Sequence, residues 1–106
     1  FIFIITGSYV TNTQKKTSDI DVVIICEDTF EPKRIYAELK QDCELNTPPI
    51  HLYVFRKVEF LNMLLNKEAN YGKEIANKNL ILFGSEEYYS IISEAIKNGF
   101  TGWNIS

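Results

Sequence analysis

The chain predicts a mixed α/β domain, one β-sheet of three to four strands with helices flanking it. Three observations carry that expectation. Short apolar, β-branched runs at residues 1–6, Ile20–Cys26 and Ile50–Arg56 are punctuated by Gly7, by Glu27-Asp28-Thr29 and by the Thr47-Pro48-Pro49 break. Apolar residues recur at helical spacing between and after those runs. At 106 residues, 45% apolar and 24% charged, the chain has the composition of an ordinary globular domain and enough length for one core.

Taken in order, residues 1–6 read as a buried strand ended by Gly7. A polar loop follows, containing Asn12, Thr13, Gln14, Lys15, Lys16, Thr17 and Ser18. Ile20–Cys26 is the second strand, and its run from Val22 to Ile25 is too continuous for an edge position. Pro32 suits the first turn of the next helix, where its missing N–H would be unpaired anyway. Ile35, Leu39 and Cys43 give that helix, residues 31–45, one apolar face. In the third strand Ile50, Leu52 and Val54 alternate with His51, Tyr53 and Phe55. A second helix begins near Val58, carries Phe60, Leu61, Leu64 and Leu65 on one face, and continues or restarts through Tyr71 and Ile75. Residues 80–83 suit a short fourth strand. Gly84-Ser85 then leads into a last helix with Ile91, Ile92, Ala95 and Ile96, stopped by Asn98-Gly99. The expectation is one domain over 1–106, with 98–106 as a tail that the sequence does not place.

Several function classes drop out. The formal charge of −3 and pI near 5.1 argue against an extended nucleic-acid surface, which needs a basic face to neutralise phosphates. The longest unbroken apolar runs, 22–26 and 80–83, are too short to cross a bilayer. Residues 1–5 are apolar without a basic flank or cleavage site, so the expectation is a chain that starts inside a strand and not a signal peptide. Cys26 and Cys43, with a single His in the chain, fit neither a zinc pattern nor a disulfide framework. They read as reduced thiols packed in the core of a cytoplasmic protein.

The loop between the first two strands carries the chemistry. Asp19 and Asp21 are two apart at the head of a strand, so both project from one face, roughly 6–7 Å apart from the rise per residue. An unpaired charge at the rim of a core is costly. Two carboxylates at that spacing can share a hard divalent cation, and Mg²⁺ is held by one or two carboxylates together with substrate phosphates. Gly7-Ser8 ends the preceding strand, where glycine lets a ligand approach the backbone and Ser8 adds a hydroxyl donor. Taken singly, each half is commonplace: Gly-Ser is a turn in most proteins, and Asp-x-Asp a solvated edge or a helix cap. Their conjunction across ten residues, Tyr9 to Ser18, is far more specific.

Gly7-Ser8, ten residues, then Asp19-Ile20-Asp21 at the head of an apolar strand resembles the signature of the DNA polymerase β-like nucleotidyltransferase superfamily. Its minimal nucleotidyltransferase branch is the most similar in size. The likeness covers nearly the whole chain, since "VEFLNMLL" and the later "NLILFG" also suit the family's C-terminal half. It implies a nucleotidyltransferase-type mixed sheet. It also implies that Gly7 and Ser8 bind the phosphates of a nucleoside triphosphate, ATP favoured, and that Asp19 and Asp21 hold Mg²⁺. An in-line attack on the α-phosphorus would then transfer a nucleotidyl group, most naturally adenylyl, to a partner protein or small acceptor, with loss of pyrophosphate. Members of that branch are often paired with small helical HEPN-type proteins, as antitoxin with toxin.

The pattern also departs from the family. A third carboxylate is usual on the next core strand, and here that position carries His51, a substitute ligand or general base, a hydrogen-bond donor to the nucleotide, or a sign of weakened catalysis. Thr11-Asn12 stands where Arg-Gly is common. A second Gly-Ser, Gly84-Ser85, has no Asp-x-Asp behind it and reads as a turn and helix cap. Two rival readings therefore accompany the enzyme: a catalytically weakened module acting by nucleotide or partner binding, and a homo-oligomeric domain whose acidic pair only caps a turn.

Overall fold

The computed structural model describes residues 1–6 and 20–101. Their elements run β1 (Ile2–Thr6), β2 (Ile20–Cys26), α1 (Pro32–Leu45), β3 (Ile50–Arg56), α2 (Lys57–Leu65), α3 (Tyr71–Asn77), β4 (Asn79–Phe83) and α4 (Ser85–Lys97). The sheet order is β3-β2-β1-β4. β1 is antiparallel to both β2 and β4, whereas β2 and β3 are parallel and joined by α1. This is the expected mixed sheet with flanking helices, and β2 is interior, as its continuous apolar run requires.

Alternation along the strands divides the sheet into two unequal faces. Ile2 and Ile4 of β1 and Val23 and Ile25 of β2 point into the main core, where they meet Phe60 and Leu64 of α2, Ile75 of α3, and Tyr88, Ile92 and Ala95 of α4. Phe100, which the sequence left unplaced, turns back into this core, its N–H donating to the Ala95 carbonyl at 2.9 Å. The predicted second helix is two helices. Asn70 separates them: its side chain accepts from the Lys73 N–H at 3.1 Å and donates to the Met63 carbonyl at 2.7 Å, which caps α3 and ties it to α2.

The other face carries α1, none of whose residues is buried. Its Ile35–Leu39–Cys43 stripe is formed as predicted, but Cys43 is only half-covered, whereas Cys26 is fully buried. The expectation that both thiols are core residues holds for Cys26 alone. Beside α1, Phe1, Phe3, Phe30 and Leu39 border an open apolar groove of about 620 Å³.

The end of the sheet where β2 finishes is held by polar contacts. Arg56 Nε donates to the Phe30 carbonyl at 2.9 Å, and the Val58 N–H donates to Asp28 Oδ1 at 2.9 Å. Lys57 Nζ lies 2.9 Å from Glu27 and 2.8 Å from Glu87, joining the residue after β2 to α2 and α4. The candidate site is at the opposite end, where β1 finishes and β2 and β3 begin.

Candidate active site

Asp21 is the second residue of β2. Thr6 on β1 and His51 on β3 are its register partners, so the three side chains form one row across three strands. They share the face of Val23 and Ile25, and the row marks where the apolar core gives way to polar groups. Thr6 is buried, and its hydroxyl donates to the Lys78 carbonyl just before β4. The Asp21 side chain is 31% exposed and that of His51 58%, with His51 Nδ1 3.5 Å from Asp21 Oδ1. That is a contact longer than an ordinary hydrogen bond, and an exposed pair of this kind contributes roughly 0–1 kcal/mol. Among the described residues, that contact by itself gives the fold little reason for a carboxylate at this rim.

Of the residues singled out from the sequence, Asp21 and His51 are thus neighbours. Gly7, Ser8 and Asp19 lie outside the described residues. Among the described residues no three His, Cys, Asp or Glu side chains gather as a metal-binding group. Asp21 offers a hard carboxylate oxygen and His51 an imidazole nitrogen, a donor pair compatible with a divalent cation once a second carboxylate joins it.

Two neighbours went unrecognised as site residues. Thr6 looks like the last residue of a buried strand. Tyr71 looks like one more apolar position on a helix, yet it stands over the site's flank. Its ring lies 4.6 Å from that of Tyr53, two residues beyond His51, and 6.3 Å from that of Phe55. The hydroxyl is shut off from solvent and has no hydrogen-bond partner among the described residues. Burial pushes the phenol pKa up, and the negative charge of Asp21 adds to the shift, so the group stays protonated. No sequence signal separates such a tyrosine from a packing one, apart from the Asn70 cap that fixes where its helix starts.

A shallow cavity of about 300 Å³ adjoins the row between β3 and α1. Ile50, His51, Leu52 and Tyr53 form its strand wall, and Tyr36, Lys40 and Glu44 part of its helix wall. Gly84-Ser85 sits elsewhere: Gly84 is the N-cap of α4, with a positive φ of 83° and no side-chain cap, and Glu86 and Glu87 follow in the first turn. It is a turn and helix start, as expected.

Comparison with known proteins bears on this geometry. The profile of the nucleotidyltransferase domain matches residues 3–81. No curated protein matches the chain. Among solved structures, the chain is similar to one in a crystal structure of a toxin–antitoxin with AMP-PNP, at a TM-score of 0.62 and 19% identity, covering 91% of this chain and 71% of that one. It is also similar to one in a crystal structure of a toxin–antitoxin MntA–HpeT mutant with two Asp-to-Glu exchanges, at a TM-score of 0.59 and 14% identity, with 91% and 71% covered. At such identities these two likenesses speak for the fold, whereas the profile spans most of the chain, from β1 through the site row to β4: the chain belongs to the nucleotidyltransferase domain family.

Proposed function

We propose that this chain is a metal-dependent nucleotidyltransferase that moves an adenylyl group from ATP to a partner protein, as the antitoxin of a toxin–antitoxin pair. The observation that carries the reading is Asp21 at the head of an interior strand, in one row with His51. The nucleotidyltransferase profile supports the reaction class. The toxin–antitoxin structures of similar fold, one with AMP-PNP, support the choice of nucleotide and the kind of partner; a small helical HEPN-type protein, the partner that the family resemblance implies, is the first candidate. The setting proposed is the cytoplasm, and no described helix is long and apolar enough to cross a membrane.

In this reading Asp19 and Asp21 hold Mg²⁺, and Gly7-Ser8 cradles the triphosphate. The cation, when bound, neutralises phosphate charge and favours attack at the α-phosphorus. The acceptor's hydroxyl oxygen bonds to the α-phosphorus, the bond to the bridging oxygen breaks, and pyrophosphate leaves. His51 takes the hydroxyl proton. Thr6, tied to Lys78, keeps β1 in register beside Asp21.

The test is transfer of label from α-phosphate-labelled ATP to a co-expressed partner. Wild type should label the partner only with divalent metal present, and Asp19→Asn/Asp21→Asn should not. Absence of transfer by wild type, with metal and ATP both bound, refutes the enzyme. A second reading is favoured by His51 standing where the family's third carboxylate is usual: a weakened enzyme that neutralises its partner by binding. Equal neutralisation by wild type and Asp19→Ala/Asp21→Ala would establish it, and loss in the variant would exclude it.

A further inference from the structure

Tyr71 is built into the fold more firmly than a packing residue needs. Asn70 pins the start of its helix from both sides, on Lys73 and on Met63. Gly72, next in the chain, lies so close to α2 that a Cβ there would sit 2.6 Å from Met63 Cβ, so the backbone on either side of Tyr71 is held in place. Tyr53 and Phe55 fix the ring. All this precision presents a hydroxyl that is buried and, among the described residues, has no hydrogen-bond partner. Buried hydroxyls normally find partners, and phenylalanine would fill the same space without stranding a polar atom. The orphan has a meaning if its partner arrives from outside.

Position says what that partner is. Tyr53, against which Tyr71 packs, follows His51 on the face that holds Asp21, and the field of Asp21 reaches the phenol. A protonated phenol beside a carboxylate rim is a donor waiting for an acceptor oxygen, and the ligand assigned to that rim is rich in them. We propose that the Tyr71 hydroxyl donates a hydrogen bond to an oxygen of the metal–nucleoside triphosphate bound at Asp21, either a phosphate oxygen or a water carried on the metal, and so helps to hold the donor nucleotide. This rests on the nucleotidyltransferase reading and adds to it a binding residue from α3.

Calorimetric titration of wild type, Tyr71→Phe and Asp21→Asn separates the cases, with Mn²⁺ alone and with Mg²⁺ plus AMP-PNP as probes, beside a thermal melt of each protein. The expected result for Tyr71→Phe is a melting temperature equal to or above wild type and affinity for Mg²⁺–AMP-PNP lowered about tenfold, the worth of one hydrogen bond near 1.4 kcal/mol. Unchanged Mn²⁺ affinity would identify a phosphate oxygen as the acceptor, and a parallel fall the metal's water. Nucleotide affinity equal to wild type in Tyr71→Phe, while Asp21→Asn loses it, would overturn the role of Tyr71 and leave the enzyme reading standing. A lowered melting temperature in Tyr71→Phe would mean that the hydroxyl serves the fold, and would also overturn it. No binding by wild type would remove both.

Discussion

Replacing Gly84 by alanine tests the joint between the sheet and its last helix. Gly84 has φ 83° and ψ 31°, the left-handed region, where a side chain costs about 1–2 kcal/mol. A Cβ built there lies 2.4 Å from the Phe1 carbonyl oxygen and 3.1 Å from Ile2 Cα. Both are backbone atoms of the β1 segment, so no rotamer change relieves the clash and the strand must move off α4. Forced overpacking of this kind costs about 1–3 kcal/mol. Together the two effects predict a loss of about 2–5 kcal/mol, a large share of the 5–15 kcal/mol typical of a domain. Urea denaturation followed by circular dichroism, with unchanged m-value, would measure it. Ser85→Ala is the control: Ser85 is exposed and caps nothing, so stability should stay within about 0.5 kcal/mol and nucleotide affinity should not change. A loss below about 1 kcal/mol for Gly84→Ala would refute the close approach of strand and helix. A loss of nucleotide affinity in Ser85→Ala would refute the assignment of this Gly-Ser to structure.

Other perturbations probe the site, the ion network and the core. His51→Ala should leave stability within about 0.5 kcal/mol, since the side chain is 58% exposed, while slowing label transfer at least tenfold; an unchanged rate would remove His51 from the reaction. Glu87 has its pKa lowered from 4.5, chiefly by the hydrogen bond from Lys57, so its contribution is present above pH 4.5 and is lost as pH falls through the depressed folded value. Lys57, raised from 10.5 by Glu27 and Glu87, contributes below 10.5 and loses that contribution only as pH rises through its folded value. Lys57→Met should therefore flatten the acid limb of the stability profile, by no more than about 1 kcal/mol because the carboxylates are partly solvated; an acid limb identical to wild type would contradict the pairing. Phe60→Ala should cost about 3–5 kcal/mol in chemical denaturation, because Phe60 is fully buried among the strands and α4, and a cost under 1 would place it outside the core.

Periodicity makes much of this protein legible in its sequence. The unbroken Val22–Ile25 run could only be an interior strand, because both its faces need cover, and Ile91, Ile92 and Ala95 could only be one face of a helix. The same arithmetic put Asp21 at the rim of a core, where a charge without a role is a cost. Periodicity reports which residues share a face, however, and not what covers that face. The Ile35–Leu39–Cys43 stripe is formed, yet α1 buries none of it completely, because α1 lies on the less covered side of the sheet. Strand order, the parallel register that brings His51 to 3.5 Å from Asp21, the return of Phe100 to the core, and the stranding of the Tyr71 hydroxyl all depend on contacts between residues far apart in the chain. A local pattern carries no record of such contacts. By itself the sequence determined the elements, their faces and the carboxylate at the rim; tertiary structure alone decided which side chains meet there, since that follows from pairing and packing across the whole sheet.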